Sequence, residues 1–479
     1  MFPSFVDVIL RHAAHDPLKP AIGTESGVLS YGQLAQAVAA AISASDKAGI
    51  GKGDVVGLIV ADPVWQIALI CALYRVGAVS ISINAREAGV DLGMTAILHD
   101  RDRPGNFTGP CHAVDADWFT LQSRDFDSLP NVPRAGNELC RVALSSGTTG
   151  LPKPIAMSTE ILWHRLTTYM LRGRFSLSEK ILCGPQLRSH FGFAIAFSAL
   201  FSGKMVCFSD SAEVSLPIIS YFGVDLAVIS VHQLTELANV QSRQFGGLSS
   251  LREIQAGGAT ISGPLYSRVR SAIACPILNT YASTEAGTAA LGSIDMLGEL
   301  REKGCVGILA PWARVTACDE NGIERPADSS GTLKINTIGM APTYLPGMTH
   351  VEEPDHFFPG DVGFISGKRF LFIEGRDSEL INVGGNKVAP GTIEKLVMEC
   401  KGVKEAAAFA IKTTAELPQI CVFVVTDGPF DPGEVIRHCT ERSRVITPTV
   451  VRVVDELPRN ETGKIIYDRL RKLVTGERA

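Results

Sequence analysis

Three apolar runs follow one another at residues 54–60, 64–76 and 78–83, separated by only a few polar or turn-forming positions. The outer two are short and rich in Val and Ile, whereas the middle one is long enough for three helical turns. The order is therefore strand, helix, strand. Such a β-α-β pattern implies parallel strands, because parallel neighbours need a crossover connection, usually a helix. The same alternation returns downstream. Residues 204–208, 226–230, 251–256 and 276–281 read as strands, and 217–222, 232–240 and 262–274 as helices. Such a chain is committed to an α/β fold, with buried parallel strands flanked by helices.

From residue 306 the texture changes to short β segments, with turn signals at Asp319-Glu320-Asn321-Gly322 and at Gly367-Lys368. Beyond residue 376 a smaller unit is expected. Its helices lie at 392–400, 432–442 and 466–473, and its strands at 406–411, 420–425 and 450–454. The expected architecture is a large N-terminal domain over residues 1–377, built of parallel and mixed sheets flanked by helices plus a β-rich subdomain. A small, mobile α+β C-terminal domain is expected over 378–479. Residues 104–133 read as irregular surface loops. Phe5, Val8, Ile9 and Ala13 suggest a surface helix at the start.

With 479 residues the chain is too long for one small core. Its net charge of -5 gives no general attraction to nucleic acid or to an anionic membrane, so a polyanionic ligand must be held by local groups. The 11 cysteines are scattered and form no C-x-x-C pair, which argues against a zinc site and suits reduced thiols in a cytoplasmic protein. The longest apolar stretch, residues 64–83, is broken by Gln66, Arg75 and Gly77, and no basic leader precedes it, so a membrane contact is not expected.

The chemistry is concentrated in "LSSGTTGLPKPI", residues 144–155. Ser145, Ser146, Gly147, Thr148 and Thr149 supply small donors on a pliable backbone, and Lys153 adds a fixed cation. Backbone N–H groups, hydroxyls and an ammonium together can wrap a phosphate chain. The order differs from a Walker A loop, and Pro154 follows the Lys.

This stretch resembles the phosphate-binding signature of the adenylate-forming superfamily, which includes acyl- and aryl-CoA synthetases, luciferases and peptide-synthetase adenylation domains. Further segments resemble the family's other motifs in the same order. "NTYASTEAG", residues 279–287, is similar to its Tyr-Gly-x-Thr-Glu motif. The resemblance implies that Thr284 meets the phosphates, that Glu285 holds Mg²⁺, and that Asn279, Thr280 and Tyr281 lie beside the nucleotide. "LREIQAGGAT" implies that Gly257, Gly258 and Ala259 lie against the adenine and acyl groups. "FFPGDVGFI" implies that Asp361 receives the two ribose hydroxyls, with Phe357 or Phe358 at the family's Tyr place. "GRDSELINVGGNKVAPGTIE" implies that Arg376 contacts ribose or phosphate. It also implies that Ser378 is the hinge and that Gly384 and Gly385 meet the thiol arm. "ELPRNETGKIIYDRL" makes Lys464 the catalytic lysine. His190, in "LRSHFGFA", resembles the His bordering the acyl site, although Gly192 comes one residue early; His232 falls near a second pocket position.

The implied reaction uses ATP and Mg²⁺ to turn a small-molecule carboxylic acid into an acyl-adenylate, then transfers the acyl group to a thiol. The thiol belongs to CoA or to the phosphopantetheine of a separate acyl-carrier protein, because no carrier domain follows in the chain. An inert binding protein on the same scaffold is the other class of reading, and the presence of Lys153, Glu285, Asp361, Arg376 and Lys464 together argues against it. Thr280 and Ala282 replace the small glycines of many family members, so a small aromatic or short-to-medium aliphatic acid is expected, with Phe191, Phe193 and Ala289 as apolar wall candidates.

Overall fold

The structure is a computed structural model. It describes residues 4–101, 104–120, 129–145, 153–209, 211–242, 247–261, 263–379, 381–383, 386–412, 418–442, 446–459 and 465–475. The predicted α/β architecture is present. Six strands form one sheet, in the order Cys111–Ala113, Ala96–His99, Val55–Ile59, Val79–Ser82, Leu139–Ser145 and Lys153–Ser158. All neighbours are parallel except the last pair. Thirteen strands form the other large sheet. Its parallel part runs through Pro20–Thr24, Met205–Phe208, Lys180–Cys183, Leu226–Ser230, Glu253–Gly257 and Ile277–Ser283. It continues as an antiparallel part through Gly287–Ser293, Cys305–Leu309, Phe370–Arg376, Asp361–Ile365, Gly331–Thr337 and Ala313–Cys318. The β-rich texture seen after residue 306 is this antiparallel extension of the same sheet.

The helix His190–Phe201 explains how the two sheets share a core. Its sequence is apolar on every side, so no face can be left in water. It packs against Leu139–Ser145 of one sheet and against Lys180–Cys183 and Met205–Phe208 of the other. Phe193 and Phe197 are fully buried and stacked at 4.4 Å between centroids. Gly192 lets the first turn of this helix close on the preceding loop, because a Cβ there would lie 2.2 Å from the Gln186 carbonyl oxygen.

Toward the C-terminal end, Val403–Lys412, Pro418–Thr426 and Val450–Val453 form a separate three-stranded sheet. The helices Pro390–Val397 and Pro432–Arg442 cover one face through Ile393, Val397, Val435 and Cys439.

Three sequence expectations need correction. The helix expected from Pro217 begins earlier, at Ala212, because Ser211 caps it by accepting from the Val214 N–H at 3.3 Å; Pro217 is carried inside it. The opening helix, Phe5–His15, is no mere surface element. Phe5, Val6 and Ile9 are buried, and Phe5 meets Tyr74 edge-on at 4.7 Å. Within residues 104–133, Cys111–Ala113 joins the six-stranded sheet, and Phe119 stacks on Trp65 at 5.0 Å. No helix among the described residues is long and apolar enough to cross a membrane.

Candidate active site

The hydroxyl-rich loop is bracketed by an antiparallel pair. Ser145 ends one strand, Lys153 opens the next, and the two are ladder partners. The Lys153 side chain is therefore held at the mouth of the loop and is exposed. Ser146, Gly147, Thr148 and Thr149 lie outside the described residues, as do Gly384, Gly385 and Lys464.

Thr284 and Glu285 form the turn between Ile277–Ser283 and Gly287–Ser293. The backbone of this turn is pinned at every step. The Ala286 N–H donates to Ser283 Oγ at 2.9 Å, and Thr337 Oγ1 donates to the Ala286 carbonyl. The Ala341 N–H donates to the Glu285 carbonyl at 2.8 Å. Neither the Thr284 hydroxyl nor the Glu285 carboxylate makes a side-chain bond among the described residues, so both are available to a ligand.

One extended segment ties this turn to the strand that opens at Lys153. Ala341 binds the Glu285 carbonyl, the Ala156 N–H donates to the Pro342 carbonyl at 2.9 Å, and the Tyr344 N–H donates to the Pro154 carbonyl at 2.8 Å. Residues 341–344 thus set the strand carrying Lys153 and the turn carrying Glu285 at a fixed separation.

Asp361 opens a strand whose register places it opposite Arg376. Asp361 is buried, and its carboxylate accepts from Tyr281 Oη at 2.5 Å and from Arg376 Nε at 3.1 Å. Burial first, and then the Asp361 charge, push the Tyr281 hydroxyl far above its usual range, so it stays a donor. The three residues come from two different hairpins of the antiparallel part, yet converge on one carboxylate.

At the end of Glu253–Gly257, Gly257 is buried against Thr280, and a Cβ there would come within 2.4 Å of Thr280 Oγ1. Gly258, at φ +91°, and Ala259 are exposed just beyond it. Asn279 and Thr280 both donate inside the sheet. Asn279 Nδ2 donates to the Val306 carbonyl at 3.0 Å, and Thr280 Oγ1 to the Ala256 carbonyl at 3.2 Å. Thr280 thus contributes to a ligand site through position and volume, whereas the buried Asn279 Oδ1 has no partner among the described residues.

His190 opens its helix and is 7% exposed. Burial, followed by the Arg165, Arg141 and Arg172 guanidinium groups, holds it well below the usual imidazole range, so it is neutral at physiological pH. His232 sits in the first turn of Val231–Gln241, within 3.4 Å of Glu236. Two of the apolar wall candidates are core residues instead. Phe193 lies under the Arg141 guanidinium at 4.3 Å, and Ala289 packs in the cluster with Val306 and Leu333. Phe191 alone of the three is half-buried. Of the two Phe considered beside Asp361, Phe357 packs on that same cluster and Phe358 is exposed.

Arg165 was not singled out from sequence. It lies on the buried face of Thr159–Met170 with Leu162, Leu166 and Tyr169, and an Arg within an apolar helical stripe is the signal that marks it.

The arrangement fits a magnesium-nucleotide. Among the described residues no cluster of three His, Cys, Asp or Glu could cage a metal ion. The single unengaged carboxylate of Glu285 instead suits a cation that takes most of its ligands from phosphate and water.

Comparison with known proteins agrees with this geometry. The AMP-binding enzyme family matches residues 9–345, and the AMP-binding enzyme C-terminal domain matches residues 392–464. An indoleacetate--CoA ligase of Aromatoleum aromaticum is 26% identical, covering 97% of both chains. A 3-hydroxybenzoate--CoA ligase of Aromatoleum sp. is 24% identical over 96% of this chain and 94% of its own. In three dimensions, ATP-bound MatB from Rhodopseudomonas palustris superposes with a TM-score of 0.86 at 21% identity, over 98% of each chain. The o-succinylbenzoate CoA synthetase from Bacillus subtilis, bound to its acyl-adenylate, gives 0.84 at 18% identity over 97% of each. On the strength of the two matched regions and the sites they contain, this chain belongs to the AMP-binding enzyme family.

Proposed function

We propose that the chain is an AMP-forming acid–thiol ligase that converts a small aromatic carboxylic acid to its CoA thioester through an acyl-adenylate. The observation that carries the reading is the clamp of residues 341–344, which ties the Lys153 strand to the Thr284–Glu285 turn. The full-length similarity to ligases named for aryl acids supports the acid class and the acceptor.

Two steps balance the reaction. A carboxylate oxygen of the acid attacks the α-phosphorus of ATP, the bond to the β-phosphate oxygen breaks, and pyrophosphate leaves. The thiol sulfur then attacks the acyl carbon, the bond to the AMP oxygen breaks, and the thiol proton passes to solvent. Little covalent chemistry is asked of the protein, so its work is positioning and charge stabilisation. Ser145 and Lys153 face the phosphates, with Ser146, Gly147, Thr148 and Thr149 of the same loop. Thr284 donates to a phosphate oxygen. Glu285 would hold Mg²⁺, which would supply charge neutralisation for the phosphates. Asp361 receives the ribose hydroxyls, and Arg376 and Tyr281 fix its carboxylate. Gly257, Gly258 and Ala259 let adenine and acyl group approach the backbone. Neutral His190 borders the acyl pocket without placing a charge beside the acid.

Residues 1–377 act as the body and 378–479 as a mobile unit, swivelling at Ser378. In one orientation Lys464 reaches the α-phosphate; in the other Gly384 and Gly385 meet the pantetheine. The 11 cysteines are free, which suits work in a reducing cytoplasm.

ATP–pyrophosphate exchange over a panel of acids tests the reading. Exchange with substituted benzoates or arylacetates, followed by thioester formation with CoA, is expected. Preference for palmitate would refute the acid class. Acyl transfer to a carrier protein but not to CoA would refute the acceptor. Absence of exchange with every acid would remove the ligase assignment.

A further inference from the structure

We propose that Arg165 is a positioning residue that sets the Thr284–Glu285 turn in the geometry needed for magnesium-nucleotide binding. The proposal rests on the reading of that turn given above.

The guanidinium of Arg165 is buried, and its donors go to backbone oxygens. Nε donates to the Gly339 carbonyl at 2.7 Å. Nη1 donates to the Ser283 carbonyl at 3.5 Å. Nη2 donates to the Thr284 carbonyl at 3.2 Å and to the Glu285 carbonyl at 2.6 Å. Three successive carbonyls of the turn therefore converge on one side chain. A planar fork with fixed donor directions can hold such a set, whereas a single ammonium cannot.

The surroundings are shaped for this group. Gly287, at φ +71°, closes the turn, and a Cβ there would lie 2.4 Å from Arg165 Nη1. Gly339, at φ +72°, brings the remaining carbonyl to Nε, and its absent Cβ avoids His164 Cβ at 2.8 Å. No carboxylate lies within ion-pair distance of Arg165 among the described residues, so the carbonyls, with the Glu285 and Glu353 charges at longer range, supply the compensation that a buried cation requires. Burial lowers its pKa to about 10, which leaves it charged at neutral pH.

The placement of the helix adds a second link. Thr159–Met170 follows the Lys153–Ser158 strand directly and is capped by Ser158. Arg165 thus couples the strand that opens at Lys153 to the turn that bears Glu285. With the carbonyls drawn to one side, the Thr284 and Glu285 side chains are left for the ligand. A purely structural Arg would affect global stability, but it would have no selective effect on the contribution of the metal.

The test is calorimetric titration with ATP, in Mg²⁺ and in EDTA, of the full chain and of Arg165→Met and Arg165→Lys, with urea unfolding run in parallel. Removing a charged hydrogen-bonding group from the turn is expected to weaken binding of the magnesium-nucleotide about tenfold to a hundredfold in Arg165→Met. The metal-free affinity should change much less, and Arg165→Lys should fall between the two. Acid KM in the exchange assay is expected to stay at the wild-type value. If either folded variant keeps the wild-type ratio of affinities with and without Mg²⁺, the proposal is overturned. Should Arg165→Met fail to fold, the ratio in Arg165→Lys decides. A wild-type protein with no magnesium advantage would instead sink the reading of Glu285 itself.

Discussion

Asp361 offers a quantitative test of the nucleotide site. Replacing it by Asn keeps the shape and removes the charge. In the free protein the carboxylate already accepts from Tyr281 and Arg376, at 2.5 and 3.1 Å. The substituted amide has one acceptor oxygen, and its nitrogen must face a donor, so one of these partners loses its bond. The ligand effect is larger. A hydrogen bond to a charged group contributes about 1.5–3 kcal/mol, against about 0.5–1.5 for a neutral pair. Two ribose hydroxyls that lose the charge-assisted part each forfeit about 1–1.5 kcal/mol, or about 2–3 together, which is roughly a 30- to 150-fold rise in Kd.

The assay is a cycle between protein and ligand, because Asp361→Asn alone could act through Arg376. ATP and 2′-deoxy-ATP are titrated into both proteins. The wild type should lose about 1.5–3 kcal/mol when the 2′-hydroxyl is removed, whereas Asp361→Asn should lose only the about 0.5–1.5 kcal/mol of a neutral pair. An equal penalty for 2′-deoxy-ATP in both proteins would refute the assignment of Asp361 to the ribose, whatever the variant did to ATP affinity alone.

Glu394 is half-buried in the C-terminal region, with its carboxyl enclosed. It accepts from the Ala408 N–H at 2.9 Å and from Tyr467 Oη at 3.0 Å, and desolvation raises its pKa to about 7. A folded pKa above the unfolded one means that the native state keeps a proton the unfolded state has lost, so stability falls as pH rises from about 4.5 to about 7. Glu394→Gln should lack that loss, gaining on the wild type by up to about 3 kcal/mol between pH 5 and pH 8 in urea titrations; parallel pH profiles would contradict this. Gly192→Ala should destabilise by about 1–3 kcal/mol, since the new Cβ meets the Gln186 and Pro185 backbone oxygens, which cannot rotate away; an unchanged urea midpoint would count against that contact. Gly257→Ala should raise the KM for the acid and depress exchange, and Thr280→Gly should recover part of the loss by removing Oγ1; failure of the second change to help would show that the Thr280 backbone, 3.2 Å away, sets the limit. Lys464→Ala should abolish pyrophosphate exchange while leaving thioester formation from a supplied adenylate; equal loss of both would contradict a lysine serving only the first step.

The parts of the fold that could be read from sequence are those in which one segment specifies its own state. The strands at 226–230 and the helices at 64–76 and 432–442 declare themselves by period and length. The antiparallel extension after residue 306 was legible as β structure, but its union with the parallel sheet was not. That union depends on the pairing of Ile277–Ser283 with Gly287–Ser293, a contact across the Thr284–Glu285 turn that no periodicity encodes. The extended helix through Pro217 shows a cap at Ser211 prevailing over a local breaker. Phe193 reads as a pocket wall by its neighbours in sequence, yet helical spacing turns it toward Phe197 and Arg141.

The same distinction applies to the site. Lys153, Glu285 and Asp361 were singled out because the segments that carry them resemble the family's motifs in sequence and order. The residues that aim them are not visible in this way, because their partners are backbone atoms far away in sequence. Arg165 reaches carbonyls more than a hundred positions downstream, and Ala341, Pro342 and Tyr344 act through main-chain bonds that any residue type could make. For segment 341–344 the information therefore lies in register. A shift of one residue there would separate the Pro154 and Glu285 contacts, although every motif residue would remain in place. A variant that perturbs this register, such as Ala341→Pro, which deletes the N–H bound to the Glu285 carbonyl, should accordingly weaken magnesium-nucleotide binding with no change to any group that touches the ligand. Unaltered binding by folded Ala341→Pro would mean that the turn is held well enough without the clamp, and that Arg165 and Thr337 suffice.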